Sequence, residues 1–223
     1  MKSLIEYINE SNQVELVSDG KERGFDYVDL GLPSKTMWAT CNVGADKPED
    51  EGLFFQFGCT NGYKYGDNNN QFKTYDQNEQ DNGCEFIPKT SSGKIYKENE
   101  ILDLADDAAH VNMGGKWKMP TRDELEELLN NTTHDVSFIN GVKGMMFTSN
   151  INGHQLFIPF IQGIWYDGNW DNVDKFYIDM WSSQVHDSIV DGAYLLYCSF
   201  CSDTSIGLSY RSDALSVRGV FKQ

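Results

Sequence analysis

The chain of 223 residues carries 34 acidic and 18 basic side chains, which gives a formal net charge of −16. This charge disfavours a nucleic-acid partner and an anionic membrane surface, because both are bound mainly through lysine and arginine. No apolar stretch approaches the roughly 20 residues that a membrane helix requires, so membrane insertion is not expected.

The first eleven residues predict a short amphipathic helix. Ser3 and Glu6 have the spacing of a capping box, and Leu4, Ile5 and Ile8 share one face. A helix of two or three turns is marginal alone, so its apolar face needs a surface to pack against. These three side chains are therefore predicted to dock on a partner or on the body of the protein.

Strands are predicted throughout residues 25–223, which we take as one domain that follows an arm at residues 1–24. The predictions rest on short apolar segments, several of them alternating with polar residues, between glycine, asparagine and aspartate. They cover residues 27–30, 36–40, 53–57, 144–148, 155–160, 179–182, 194–198, 206–209 and 216–221. The polar stretch 60–83 predicts a long exposed loop.

Two helices are predicted among these strands. Residues 98–113 place apolar side chains at helical spacing, up to a pair of glycines. The second helix follows Thr121, which forms a capping-box pattern with Glu124, and three leucines mark its buried face. Together the elements predict an α+β domain with a mainly antiparallel twisted sheet, two flanking helices and long loops.

Several blocks of the sequence are distinctive and follow one another in a fixed order. The first reads YVDLGLPSKTMWATCNVGA at residues 27–45, and the others lie at 48–58, 106–121, 181–183, 193–196 and 216–220. These blocks resemble the Fibrobacter succinogenes major paralogous domain, a family abundant in gut bacteria of the Bacteroides kind and in their phages. The resemblance covers residues 25–223. It implies a C-type-lectin-like fold with paired chain ends and a display face built from loops.

A ligand-binding surface is predicted from the segment 163–177, which mixes rigid aromatic rings with short polar side chains. The alternative is that Trp165 and Trp170 pack into the core beneath a loop. The stretch 205–213 lies where members of the similar family carry a run of basic and aromatic residues. From this stretch, Tyr210 and Arg211 are included in the predicted binding surface. The predicted ligand-binding residues are Trp165, Tyr166, Asn169, Trp170, Asp171, Asn172, Tyr210 and Arg211.

No catalytic constellation is evident, so no enzyme activity is predicted. Cys198 and Cys201 have the spacing of a redox pair, but in a strand-like run they face opposite sides, which favours structural thiols. The four histidines are isolated. Oxygen ligands for calcium are plentiful at 167–174, yet the same residues are typical of turns. No metal or other cofactor is predicted.

The sequence thus predicts a non-enzymatic structural and binding protein of a bacteriophage particle, such as a head fibre, tail fibre or decoration protein. Its arm would dock on other virion proteins, and its domain would attach to a host-surface glycan or protein in several copies, as a homo-oligomer. The first ten residues contain no apolar run typical of an export signal, which fits release by lysis. The alternative is a bacterial binding protein of the same family, in the cytoplasm or at the cell surface. An enzyme that uses the cysteine pair ranks last.

Overall fold

The computed structural model describes residues 16–64, 90–161, 176–201 and 203–223. In these ranges the chain forms twelve strands, two α-helices and one 3₁₀ turn at Leu104–Asp106. The helices are α1 (Ala108–Met113) and α2 (Arg122–Asn131). The strands are β1 (Gly20–Glu22), β2 (Phe25–Asp29), β3 (Thr36–Asn42), β4 (Phe54–Gln56), β5 (Thr132–Ile139), β6 (Val142–Ser149), β7 (Gln155–Pro159), β8 (Tyr177–Val185), β9 (Gly192–Ser199), β10 (Thr204–Tyr210), β11 (Ala214–Ser216) and β12 (Arg218–Lys222).

Hydrogen bonds join these strands into three sheets. The first has the order β1-β2-β3-β12, the second β10-β9-β8-β11-β4 and the third β5-β6-β7. Every pairing between these strands is antiparallel except the one between β8 and β11. Because β12 pairs with β3, an early and a late segment of the described chain meet in one sheet.

The second sheet separates two apolar cores. Successive side chains of a strand point to opposite faces, so each central strand supplies both cores. Trp181 and Leu195 belong to a cluster that also contains Trp117. Met180 and Leu196 belong to the other cluster, which includes apolar residues of α2, β6 and β7. The second sheet is therefore covered on both faces along most of β8 and β9.

The prediction of α2 is confirmed, including its capping box. The Thr121 hydroxyl accepts a hydrogen bond from the Glu124 backbone N–H at 3.3 Å, and the Glu124 carboxylate accepts one from the Thr121 N–H at 2.9 Å. Leu125 and Leu128 are fully buried. The reciprocal bonds satisfy two backbone donors that a helix start otherwise leaves without partners.

The prediction of a helix over 98–113 is wrong for its first half. The Leu102 N–H donates to the Ser183 carbonyl at 2.8 Å, so the chain before the 3₁₀ turn lies along β8 as an extended segment. The helix α1 begins only at Ala108, because the Asp107 carboxylate caps it by accepting the His110 N–H. Apolar spacing alone did not reveal that hydrogen bonds to β8 hold residues 100–102 extended.

The predicted α+β class, with its C-type-lectin-like arrangement, is wrong. Strands account for 45% of the described residues and helices for 11%, which makes the fold mainly β. The helices are 6 and 10 residues long and form no layer that flanks a sheet. The prediction also missed β1 and β5, and its strand at 216–221 joined β11 and β12, which lie in different sheets. An Asn140–Gly141 turn with φ of 49° and 82° joins β5 to β6, and this is the hairpin geometry that Asn-Gly favours.

Candidate functional site

One part of the second sheet is left open, at the end where β8 begins and β9 ends. A groove of about 420 Å³ lies there, which is within the size range of small-molecule sites. Aromatic, acidic and hydroxyl side chains from three neighbouring strands line it. The lining residues are Tyr177, Asp179, Leu195, Tyr197, Ser205, Gly207, Leu208 and Ser209.

The register of the strands arranges the groove in rows. Asp179 on β8 pairs with Tyr197 on β9, which in turn pairs with Ser205 on β10. In the next row Leu195 pairs with Gly207, where an added Cβ would lie 3.2 Å from the Leu195 side chain. Because Gly207 has no side chain, the groove stays open above Leu195, next to the row of Asp179, Tyr197 and Ser205.

Two tyrosines form an aromatic wall. The rings of Tyr177 and Tyr197 have centroids 5.8 Å apart and planes inclined by 26°, so they lie nearly parallel. Burial raises the pKa of Tyr197, which keeps this phenol neutral. Faces of this kind pack against apolar surfaces of a ligand and attract cations.

A buried carboxyl group lies beside this wall. The side chain of Asp179 is only 6% exposed. Burial, together with the nearby charge of Asp213, raises its pKa to about 7. Within the part of the chain that the structure describes, no side-chain donor lies within hydrogen-bond distance of this carboxylate. Asp179 therefore changes charge near neutral pH and keeps its acceptor oxygens available to a ligand.

The groove is acidic. Asp179 is the one charged residue among the described residues that line it, and none of them is lysine or arginine. A second acid, Asp213, is fully buried and accepts a hydrogen bond from the Ser209 hydroxyl at 2.5 Å. Because Asp213 raises the pKa of Asp179, its negative charge adds to the field in the groove.

The two predicted ligand-binding residues that the structure describes, Tyr210 and Arg211, are not among the residues that line the groove. Tyr210 is 53% exposed at the end of β10 and does not line the groove. Arg211 is buried, and both of its terminal nitrogens donate to the Tyr96 carbonyl at 3.0 Å. The remaining predicted ligand-binding and docking residues lie outside the described ranges: Leu4, Ile5, Ile8, Trp165, Tyr166, Asn169, Trp170, Asp171 and Asn172.

The cysteine pair is divided between the core and the surface. Cys198 is buried in the second core, and burial raises the pKa of its thiol. Cys201 is exposed in the turn that follows β9, and both are free thiols. Burial also raises the pKa of Cys59, to about 11. A thiol with a raised pKa is a weak nucleophile at neutral pH.

Other kinds of site find no support within the described ranges. There, no three histidine, cysteine or acidic side chains gather as a metal ion would require. None of the helices in these ranges has both the length and the apolar character needed to span a membrane. In comparisons with known proteins, the chain matches no family model, no curated protein and no solved structure. The chemistry of the groove is therefore what supports a function.

Sequence reasoning missed the residues of the groove. One signal was present: along β8, Tyr177 and Asp179 alternate with the apolar Ile178 and Met180, so polar groups fall on one face of a strand. That pattern marks a face but does not identify which other strand completes it. The pairing of Asp179 with Tyr197 becomes visible only in the register of β8 and β9.

Proposed function

We propose that this protein is a non-enzymatic binding protein that holds a carbohydrate in the groove of β8, β9 and β10. The observation that carries the proposal is that a buried carboxyl, Asp179, lies across from Tyr197, whose ring is nearly parallel to that of Tyr177. The rings offer an apolar surface to one face of a sugar. The Asp179 carboxyl and the Ser205 hydroxyl offer hydrogen-bond partners to its hydroxyl groups.

Recognition suits this geometry better than hydrolysis does. Glycosidases generally place two carboxyl groups on either side of the bond that is cleaved. Among the described residues, one carboxyl lines the groove, while Asp213 is fully buried and accepts a hydrogen bond from the Ser209 hydroxyl. An acidic group beside aromatic rings supplies orientation and affinity, which is the task of a binding site.

The proposal extends to attachment of a bacteriophage particle to its host, as a head fibre, tail fibre or decoration protein. Its support is the ordered sequence blocks that resemble a family found in gut bacteria and their phages. The predicted N-terminal helix, with Leu4, Ile5 and Ile8 on its apolar face, would dock on other virion proteins, and several copies would raise a weak affinity for surface glycans. A cell-associated bacterial binding protein is the alternative. Mass spectrometry of purified particles separates the two, since the chain should be present in virions.

The groove is tested with a glycan array followed by calorimetry on the glycans that bind. We expect Tyr197→Ala to weaken binding at least tenfold, because it removes the ring that pairs with Asp179. Phe138→Ala is the matched control, since Phe138 is an aromatic residue on β5, 55% exposed and not among the described residues that line the groove. Unchanged affinity in a folded Tyr197→Ala protein would refute the proposed site.

A second variant separates the groove from the surface predicted by sequence. Trp170→Ala removes a ring of the predicted recognition segment and changes none of the described residues that line the groove. If the groove is the site, this change should alter affinity less than Tyr197→Ala does. The reverse order would place the ligand at the segment 163–177 instead.

A further inference from the structure

We propose that the groove selects an amino sugar, whose protonated amine pairs with Asp179 while its ring lies against Tyr177 and Tyr197. This inference rests on the proposed carbohydrate-binding function and names the chemical class of the ligand. It is based on the juxtaposition of one buried acid, two aromatic faces and no basic residue among the described lining residues.

The charges of the groove favour a cation over an anion. Asp179 lines the groove, and the buried Asp213 acts on it with a charge of the same sign. A sugar that carries a carboxylate or a sulfate would be repelled by both acids. The formal net charge of −16 adds a long-range attraction for cationic ligands, which is strongest at low ionic strength.

The exposure of Asp179 distinguishes an amine from a neutral sugar. At 6% exposure an ionised carboxylate is poorly solvated, and no described side chain donates to it. Sugar hydroxyls would supply hydrogen bonds but no opposite charge. An ammonium group supplies both, since it carries a positive charge and three N–H donors.

The aromatic wall adds to the same preference. Tyr197 is the direct cross-strand partner of Asp179, and the Tyr177 ring lies beside it at 5.8 Å. Cross-strand partners of this kind have their Cβ atoms about 5 Å apart, so a single ligand cation can contact the carboxylate and a tyrosine face together. The sugar ring that carries the amine would then cover the second tyrosine.

Binding of an amine should release a proton from the groove. Among the described residues, the ionisable groups around the Asp179 carboxyl are Tyr177 on β8, Tyr197 and Cys198 on β9, and Asp213 before β11. The pKa values of Tyr197 and Cys198 are raised by burial, so these two groups stay neutral. A bound ammonium stabilises the ionised form of Asp179, whose pKa is about 7 in the free protein. At pH 6 the complex should therefore form with release of a proton.

The experiment compares two probes of equal length by calorimetry at pH 6. These are oligosaccharides of β-1,4-linked glucosamine and their fully N-acetylated counterparts. We expect the full-length protein to bind the free-amine form at least tenfold more tightly. Heats measured in buffers of different ionisation enthalpy should show proton release for the free-amine form alone.

Variants assign this preference to Asp179. Asp179→Asn keeps the shape of the side chain and should bring the two affinities to within about twofold of each other, with no proton release. Asp135→Asn is the matched control, because it removes the same charge at an exposed position on β5 and should keep the preference. Ser205→Lys places a competing cation in the row of Asp179, at an exposed position, and should abolish amine binding.

The possible failures can be told apart. Equal affinity of the wild-type protein for both probes, or a preference that survives Asp179→Asn, would overturn the amino-sugar assignment while leaving carbohydrate binding in place. Binding of other glycans, but of neither probe, would likewise overturn the amino-sugar assignment and leave carbohydrate binding in place. If no glycan binds at all, the proposed function fails and this inference fails with it.

Discussion

Along β8 and β9, the face that packs against α2 and the third sheet differs from the face that carries the groove. On the packed face Met180 and Leu196 are fully buried among apolar neighbours. On the other face Trp181 and Leu195 are buried in the same way, but Tyr197, one row further along, is only partly buried. One pair of strands thus serves the core on both sides and a binding surface at one end.

On the groove-bearing face, two nearby polar groups, those of Trp181 and Asp179, differ in whether they have a hydrogen-bond partner. The Trp181 indole N–H donates to the Phe55 carbonyl at 2.8 Å, so its burial leaves no donor without a partner. Asp179, two residues earlier, has no side-chain donor within the described ranges and a pKa raised to about 7. Satisfied polar groups are typical of a core. A buried and uncompensated carboxyl lowers stability and is typical of a site that awaits a ligand.

The largest difference in unfolding free energy is expected between variants of two consecutive residues of β9, Leu196 and Tyr197, which point to opposite faces. Leu196→Ala should lower the free energy of unfolding by about 2–5 kcal/mol, because it opens a cavity in a closed core. Tyr197→Ala should cost less, since this ring borders the groove and is only partly buried. Urea denaturation of both variants measures the difference. Equal losses would mean that the two faces are packed alike.

A pH-dependent effect should follow from Asp179. Its pKa in the folded protein, about 7, exceeds the ordinary value of 3.8 for aspartate, so the folded state binds the proton more tightly than the unfolded state. Stability is therefore lost as the pH rises from about 4 through about 7, and stays lost above that range. Asp179→Asn should raise the free energy of unfolding at pH 8 by up to about 4 kcal/mol, and by little at pH 4.

Thermal or urea unfolding of Asp179→Asn and wild type across this pH range tests the prediction. Asp135→Asn serves as the control, because it removes an aspartate charge at an exposed position. A stability difference between Asp179→Asn and wild type that does not change with pH would show that Asp179 titrates as an ordinary carboxyl.

The smallest change in unfolding free energy is expected at α2, which contributes Leu125 and Leu128 to the core on the packed face. Thr121→Ala removes one half of the capping box of α2 and should cost about 1 kcal/mol of unfolding free energy. Thr121→Ser should restore most of that loss. Binding in the groove should stay unchanged, because α2 contributes no lining residue. A loss of glycan affinity in Thr121→Ala would show that the two faces are coupled.

Much of the local structure could be predicted because its causes lie within a few residues. The capping box of α2 follows from the spacing of its residues, and the strands around 36–40 and 194–198 follow from short apolar runs; all three are present. The Asn140–Gly141 pair is also a hairpin signal that the sequence contains, and it predicts a strand on each side, including β5. The fold class was predicted wrongly because the two helices, which are short, were treated as a layer of the domain. The sheets that dominate the fold form between segments that are distant in the sequence.

The amino-acid sequence by itself determined the acidic charge, the strand-rich pattern and the start of α2, since each depends on composition or on neighbours along the chain. Only the tertiary structure decided the groove. Asp179, Tyr197 and Ser205 come from three strands and meet through backbone pairing, whose register no single segment encodes. The raised pKa of Asp179 has the same origin, because burial and the nearby Asp213 exist only once the sheet has formed.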